Sequence, residues 1–456
     1  MPVFIDFRGG EAPPARGASR DRQSQPQQGR GGARPFVGNA ERRPGGGDAR
    51  GGYASQPGYG ERPQRPTPAR QVSLPRYLAL APRPTEPLLA AELRALPGVT
   101  DVVERPGAVA FNGDRAALYR ANLWLRCATR VLVPLADVPC EGPEALYDAV
   151  SALPWEEHLS ATGTLMVSAH GQGPGLNNGV FIAQRVKDAV VDRLRTHRGE
   201  RPSVDLRQPD LRINVQLYAD GAATRCAIAL DSSGAPLHQR GYRSGGGLAP
   251  LKETLAAAIV SAAGYGVGEP LVPVVDLCCG SGTLLIEAGL RALRRAPGLA
   301  RDFGFQRWRD FDRAAFAAAK EEARAQALPL PAEPFLFGGD RDAGALRLAE
   351  QGVQAAGLLP VTRLTVQALE EAAPPPGPPG IVLVNPPYGE RLGDEVELAA
   401  LYRALGDTLK RRFKGYTAYV FTASLPLSKQ IGLRPKSRQV LYNGNLEGRL
   451  LRFDLY

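Results

Sequence analysis

Lysine, histidine, cysteine, methionine and tryptophan are all scarce in this chain of 456 residues. The five cysteines (Cys127, Cys140, Cys226, Cys278 and Cys279) form no Cys-x-x-Cys pair and are odd in number, so neither a disulfide framework nor a zinc site is supported. No metal is expected, and a reducing cytoplasm is the expected home. The four histidines (His158, His170, His197 and His238) fall outside every motif below and take no role. No apolar run reaches the roughly 18 residues of a membrane span. The N-terminus lacks the charged-then-apolar order of a secretion signal. Charge is plentiful: Lys plus Arg number 56 against 46 acids, giving +10 and a pI near 9.5, which favours an anionic partner.

Most of that excess lies in residues 1–72, which are rich in Arg, Gly, Gln and Pro and too poor in apolar side chains to fold alone. Arg-Gly-Gly recurs at Arg8, Arg30 and Arg50, with Tyr53 and Tyr59 among glycines. Loose RNA attraction and a solubilising tail both fit, and either way a disordered tail is expected. Residues 73–235 read as a mixed α+β module. Strands are expected over 76–80, 99–104, 108–111, 131–136, 164–168, 211–219 and 223–230, and helices over 86–96, 114–126, 144–152 and 178–198. The last helix has an apolar face of Val180, Ile182, Val186, Val190, Val191 and Leu194, with Arg185, Lys187 and Arg193 elsewhere as candidate RNA contacts or a solvated face. Residues 236–456 alternate helix and strand in the manner of a doubly wound α/β sheet.

Three motifs occupy expected strand ends in that last part. Leu271–Thr283 reads LVPVVDLCCGSGT: an apolar run ending in Asp276, then a glycine loop (Cys279, Gly280, Ser281, Gly282, Thr283), then a helical pattern. Gly280 and Gly282 permit close backbone approach to a ligand. The third glycine of a dinucleotide fingerprint is missing, and no Gly-Lys-Ser/Thr follows. A glycine loop without phosphate machinery suits S-adenosylmethionine, with Asp276 near its amino-acid end. The second motif ends a strand at Asp340, a position suited to gripping a ribose diol, with Asp342 as the alternative or as a helix cap. The segment between these motifs, 293–334, is an insertion whose Phe303, Phe305, Trp308 and Phe311 are expected to form a packed lid.

The third motif is Asn385-Pro386-Pro387-Tyr388, just after the apolar run Ile381–Val384. The Asn385 side-chain oxygen and the Pro386 carbonyl can accept both hydrogens of a planar amine, the prolines fix their aim, and Tyr388 offers a stacking face. This arrangement fits alkylation of an exocyclic amine on a base turned out of its stack.

DLCCGSGTLLIEA, GGDRD and NPPYGERLG together resemble the bacterial large-subunit ribosomal RNA guanine-N2 methyltransferases, in particular the half that carries a THUMP domain. Arg240-Gly241-Tyr242-Arg243, the stretch from Ala249 to Leu255 and Arg295-Ala296-Pro297-Gly298 add to the likeness, which runs from about residue 75 to the C-terminus and is weaker in the first third. The resemblance implies a Rossmann-like class I methyltransferase domain behind a ferredoxin-like/THUMP RNA-binding module, S-adenosyl-L-methionine as cofactor, and large-subunit rRNA or an assembling ribosomal subunit as partner. Leu277 stands where the family often has proline. Ala368 stands where relatives carry an acid that meets the adenine amine, leaving Gln367 or a backbone group for that contact. Relatives often carry a second methyltransferase at the C-terminus; with one domain, a single modification is expected. Asn-Pro-Pro-Tyr does not name its base, so tRNA guanine-N2 and DNA adenine-N6 methylation stay open, as does a non-catalytic role in ribosome assembly.

Overall fold

The computed structural model describes residues 76–243, 251–266, 271–388 and 395–456. The Arg/Gly-rich tail, Ala249 and Pro250, and residues 389–393 of the third motif lie outside the described residues.

The first half runs β1 (Tyr77–Leu80), α1 (Glu86–Arg94), β2 (Val99–Arg105), β3 (Ala108–Gly113), α2 (Arg115–Trp124) and β4 (Arg130–Pro139). It continues with α3 (Pro143–Ser151), α4 (Trp155–His158), β5 (Thr164–His170), α5 (Gly179–Arg198), β6 (Ser203–Val204), β7 (Leu211–Asp220) and β8 (Ala223–Asp231). Local chemistry sets the helix boundaries. The Asp114 carboxylate accepts from Ala117 N at 2.8 Å to start α2. Asn178 does the same for Val180 N before α5, and Gly199, at φ 75°, ends that helix in the left-handed region.

All eight strands join one sheet in the order β2-β3-β1-β4-β8-β7-β5-β6. β4 is its spine: Leu132 pairs with Leu78 on one side and with Asp231 on the other, and the ladder to β8 continues to Pro139↔Arg225. α5 buries Ile182, Val186, Ala189, Val190, Val191 and Leu194. Val180, expected on that face, is 66% exposed, because it sits in the first turn before the helix meets the sheet.

The second half comprises α6 (Glu253–Ala262), β9 (Val274–Asp276), α7 (Thr283–Ala292), α8 (Arg313–Ala325), β10 (Leu336–Asp340), α9 (Ala343–Ala355), β11 (Thr362–Val366) and β12 (Ile381–Val384). It closes with α10 (Glu395–Arg412), β13 (Thr417–Thr422), α11 (Leu425–Gln430), β14 (Ser437–Asn443) and β15 (Leu446–Asp454). The strand order is β11-β10-β9-β12-β13-β15-β14. β9 to β13 are parallel, and β15 and β14 add an antiparallel hairpin at the edge. β9 has β10 on one side and β12 on the other, so the order of strands reverses there. Crevices for ligands open at the carboxyl ends of strands beside such a reversal.

The aromatics of the insertion are packed, but not over that crevice. Phe303 and Phe305 stack at 5.2 Å, and Phe305 lies 4.7 Å from Tyr119 of α2. Gly298 N donates to Leu123 O and Phe305 N to Ser232 O, so the segment clasps the first half. A Cβ at Gly298 would meet Asn122 O at 2.8 Å, and only glycine permits that approach. The lid expectation is thereby corrected: burying these rings against α2 removes more apolar surface from water than a cover over a polar crevice could.

Candidate active site

At the strand ends lies a cavity of about 1100 Å³, lined by Asp276, the 277–281 loop, Thr283, Asp340, Asp342, Gln367, Asn385 and Pro387 among others. The three motifs, separated by tens of residues in the chain, therefore share one space.

The glycine loop turns sharply because Gly282 N donates to Cys279 O at 2.7 Å, with Gly280 and Gly282 at φ 52° and 74°. A Cβ built on Gly280 meets nothing within 4 Å, so the constraint there is backbone conformation and the space is left open. Cys279 N donates to Gly339 O and ties the loop to β10. Asp340 holds the loop from the other side. One carboxylate oxygen accepts from Gly280 N at 2.8 Å and the other from Asp342 N at 3.0 Å. The Asp342 carboxylate caps α9 by accepting from Gly344 N at 2.7 Å, so its helix-cap alternative has direct geometric support.

Asp276 is almost wholly buried. Burial pushes its carboxyl well above the usual range; the Asp340 charge adds to the rise and the Cys278 N–H opposes it. Burial likewise raises the thiols of Cys278 and Cys279, which makes them inert small hydrophobes rather than nucleophiles. Thr283 Oγ1 accepts from Arg243 Nη2 at 2.7 Å, a contact not evident in the sequence because Arg243 is remote in the chain.

Asn385 follows β12 directly, and its side-chain oxygen is buried with no hydrogen-bond partner among the described residues. An unpaired buried amide oxygen costs roughly 1–3 kcal/mol unless something bound supplies a donor. Pro386 is buried, whereas Pro387 lines the cavity. Tyr388 lies outside the lining: half-buried, it packs edge-on at 6.2 Å from Phe421 and accepts a hydrogen bond from Asn443. Gln367 lines the opposite wall beside Gly339, next to Ala368. An acid does reach this wall two residues later, at Glu370, which the sequence reading overlooked because the turn Leu369–Glu371 shifts it.

The three candidate RNA contacts of α5 have carboxylate partners inside the fold. Arg193 makes a two-pronged contact with Glu156 at 2.9 and 2.7 Å and donates to Ser151 O. Arg185 reaches Glu144 and lies 4.4 Å from the centre of the Tyr147 ring, and Lys187 pairs with Asp188. The two arginine contacts fasten α5 to α3 and α4, whereas the Lys187 pair lies within α5 itself. Among the described residues no cluster of His, Cys, Asp and Glu is arranged for a metal, and no helix is long and apolar enough to cross a membrane.

Five parallel strands continued by an antiparallel hairpin, with a glycine loop, an acid and Asn-Pro-Pro-Tyr at neighbouring strand ends, define a Rossmann-like methyltransferase domain. Residues 240–452 match the RMKL-like methyltransferase domain, 76–132 the RlmL ferredoxin-like domain and 142–223 the THUMP domain, and the chain belongs to this family of THUMP-bearing RMKL-like methyltransferases. It is 47% identical to the ribosomal RNA large subunit methyltransferase K/L of Syntrophotalea carbinolica over 83% of its own length and 53% of that protein. It is 41% identical to a Synechocystis protein named "Putative RNA methyltransferase", covering 83% of this chain and 97% of that one. The chain spans about half the length of the K/L relatives it matches. Among solved structures, a protein described as "a putative methyltransferase complexed with SAH" aligns with TM-score 0.74 and 30% identity, over 83% of this chain and 98% of that one. A Listeria monocytogenes protein described as "a predicted N6-adenine-specific DNA methylase" aligns with TM-score 0.72 and 31% identity, over 84% of this chain and 96% of that one.

Proposed function

We propose that the chain binds S-adenosylmethionine in this cavity and methylates the exocyclic N2 of a guanosine in large-subunit ribosomal RNA, free or within an assembling subunit. The observation that carries the reading is that Asn385 lines the cavity while its side-chain oxygen is buried with no hydrogen-bond partner among the described residues. An acceptor so placed suits a group with hydrogens to donate. A ring nitrogen such as guanine N7 has none, whereas an exocyclic amine has two. The rRNA names of the K/L relatives and the THUMP match favour RNA over DNA.

The residues present suit the cofactor, since Asp276, Asp340 and Gln367 line one cavity. Asp340 would hold the ribose diol, Asp276 and the 279–283 loop would meet the amino-acid end, and Gln367 would lie beside the adenine. When bound, the cofactor supplies an electrophilic methyl group on a sulfonium. Asn385 Oδ1 and the Pro386 carbonyl accept the two amine hydrogens and draw them out of the base plane. That localises the nitrogen lone pair and aims it at the cavity. No strong base is required of the protein, because the amine becomes acidic on alkylation and can release its proton to water. Positioning and fixed dipoles then supply most of the acceleration.

The test is Asn385→Ala in a labelled-methyl assay that offers unmodified rRNA, tRNA and DNA side by side, with mass mapping of the product nucleosides. The wild type should label rRNA and yield N2-methylguanosine. The variant should lose on the order of 100-fold in turnover while its cofactor affinity is unchanged. Full turnover by the variant would refute the reading, and label confined to tRNA or DNA would replace the substrate.

A further inference from the structure

The hairpin β14–β15 closes the second sheet at its edge, yet its tip reaches the exit of β12. Asn443, the last residue of β14, donates from Nδ2 to the phenol oxygen of Tyr388 at 3.0 Å. The Tyr388 ring is bracketed on its inner side by Phe421 of β13, with the ring planes at 78°. One wall and one tether fix both the tilt and the rotation of the ring. Tyr388 stands outside the cavity lining but directly follows Pro387, which belongs to it, and from that adjacency and these contacts we infer that Asn443 is a positioning residue, which sets the plane of Tyr388 beside the cavity and thereby the seat of the base whose amine Asn385 receives. The inference rests on the proposed amine methylation and deepens it.

The turn itself does not need this amide. Asn443 faces Leu446 across the loop Gly444-Asn445, and Gly444, at φ 63°, already supplies the backbone conformation that a two-residue hairpin loop demands. Nor does the contact satisfy a deeply buried group, since both partners are only partly buried and water could replace either. What the hydrogen bond adds is direction. Because the phenol oxygen accepts from Asn443, its own proton remains free to donate. Burial raises the Tyr388 phenol above its ordinary value, so the ring stays neutral at working pH. A neutral ring held at two points offers a stacking face with little rotational freedom left to lose, and lowering that loss favours the productive pose.

The experiment is a double-mutant cycle on the full chain with Asn443→Ala, Tyr388→Phe and the pair, measuring kcat and KM with an unmodified large-subunit rRNA transcript and cofactor affinity by calorimetry. Asn443→Ala should lower kcat about fivefold, the worth of one ordinary hydrogen bond, with cofactor affinity unchanged. Tyr388→Phe removes the acceptor, so the double variant should lose no more than the worse single one. Asn443→Leu, which keeps the branched shape and lacks the donor, should repeat the alanine result. Additive losses, an unchanged kcat, or failure of both Asn443 variants to fold would overturn the inference and leave Asn443 as hairpin packing. The two levels separate cleanly. A collapse of Asn385→Ala beside a silent Asn443→Ala sinks only this inference, whereas full turnover by Asn385→Ala sinks the proposed reaction itself.

Discussion

Replacing Arg240 with methionine removes one member of a charge cluster sealed between the two halves of the chain. The side chains of Arg240 and Glu287 are 1% and 0% exposed and meet at 3.2 Å. Glu287 also accepts from Tyr242 Oη at 2.9 Å, and Arg240 Nη2 donates to Arg126 O. Arg126 completes the group by donating to Leu290 O and Arg295 O, and burial holds its guanidinium down to about 10 despite the opposing charge of Glu287. Removing one partner of a buried pair costs about 3–5 kcal/mol. Arg126 remains as a counter-charge, so the lower end, about 3 kcal/mol, is expected, roughly a hundredfold in the folding equilibrium. Urea unfolding followed by tryptophan fluorescence measures it. The double variant Arg240→Met/Glu287→Met should recover only part of the loss, since the stranded carboxylate is gone but the buried Arg126 then keeps its carbonyl acceptors without the opposing charge of Glu287. A single variant within about 0.5 kcal/mol of wild type, or a double variant as damaged as the single, would refute the reasoning.

Asp276→Asn should separate binding from stability. The native carboxyl is raised by burial, so its ionised form weighs against the folded state, and stability is lost as pH climbs from the unfolded carboxylate value through the folded one. The amide variant should therefore match or exceed the wild-type melting temperature at pH 8, with no gain at pH 4, while cofactor affinity by calorimetry falls about tenfold or more. Arg193→Ala should lower stability by about 1 kcal/mol and leave RNA affinity and its salt dependence unchanged, because the guanidinium is engaged with Glu156. Arg193 holds the Glu156 carboxyl down to about 2, so this contribution is complete above the unfolded carboxylate value and fades as pH falls through the folded one. Melting curves from pH 7 to pH 3 should show the gap between wild type and variant narrowing.

The catalytic half was legible because its informative residues sit where local chemistry is constrained. Glycine at positive φ, an acid ending a strand and a proline pair after an apolar run each leave a mark in the sequence, and the doubly wound topology brings them to one rim. The first half gave up its strands and helices but not their union. That β4 pairs with β1 on one side and β8 on the other depends on contacts about fifty and about a hundred residues apart in the chain. The aromatic cluster at 303–311 announced burial, but its target, Tyr119, carries no local signal. The ion pairs of α5 went unread for a related reason: charge along a helix is visible in sequence, whereas Glu144 and Glu156 come into reach only through packing. β11, α4 and α11 went unread because short elements with broken periodicity are set by their neighbours.

The family boundaries in the first half fall at 132 and 142, on either side of most of β4. A protein cut there would retain the pairing of β4 with β1 and lose β8, stripping hydrogen-bond partners from the strand between Leu132 and Pro139. Bare strand edges recruit other chains. A fragment ending near residue 140 should therefore self-associate rather than stand alone, while one carried through Asp231 keeps the seam closed.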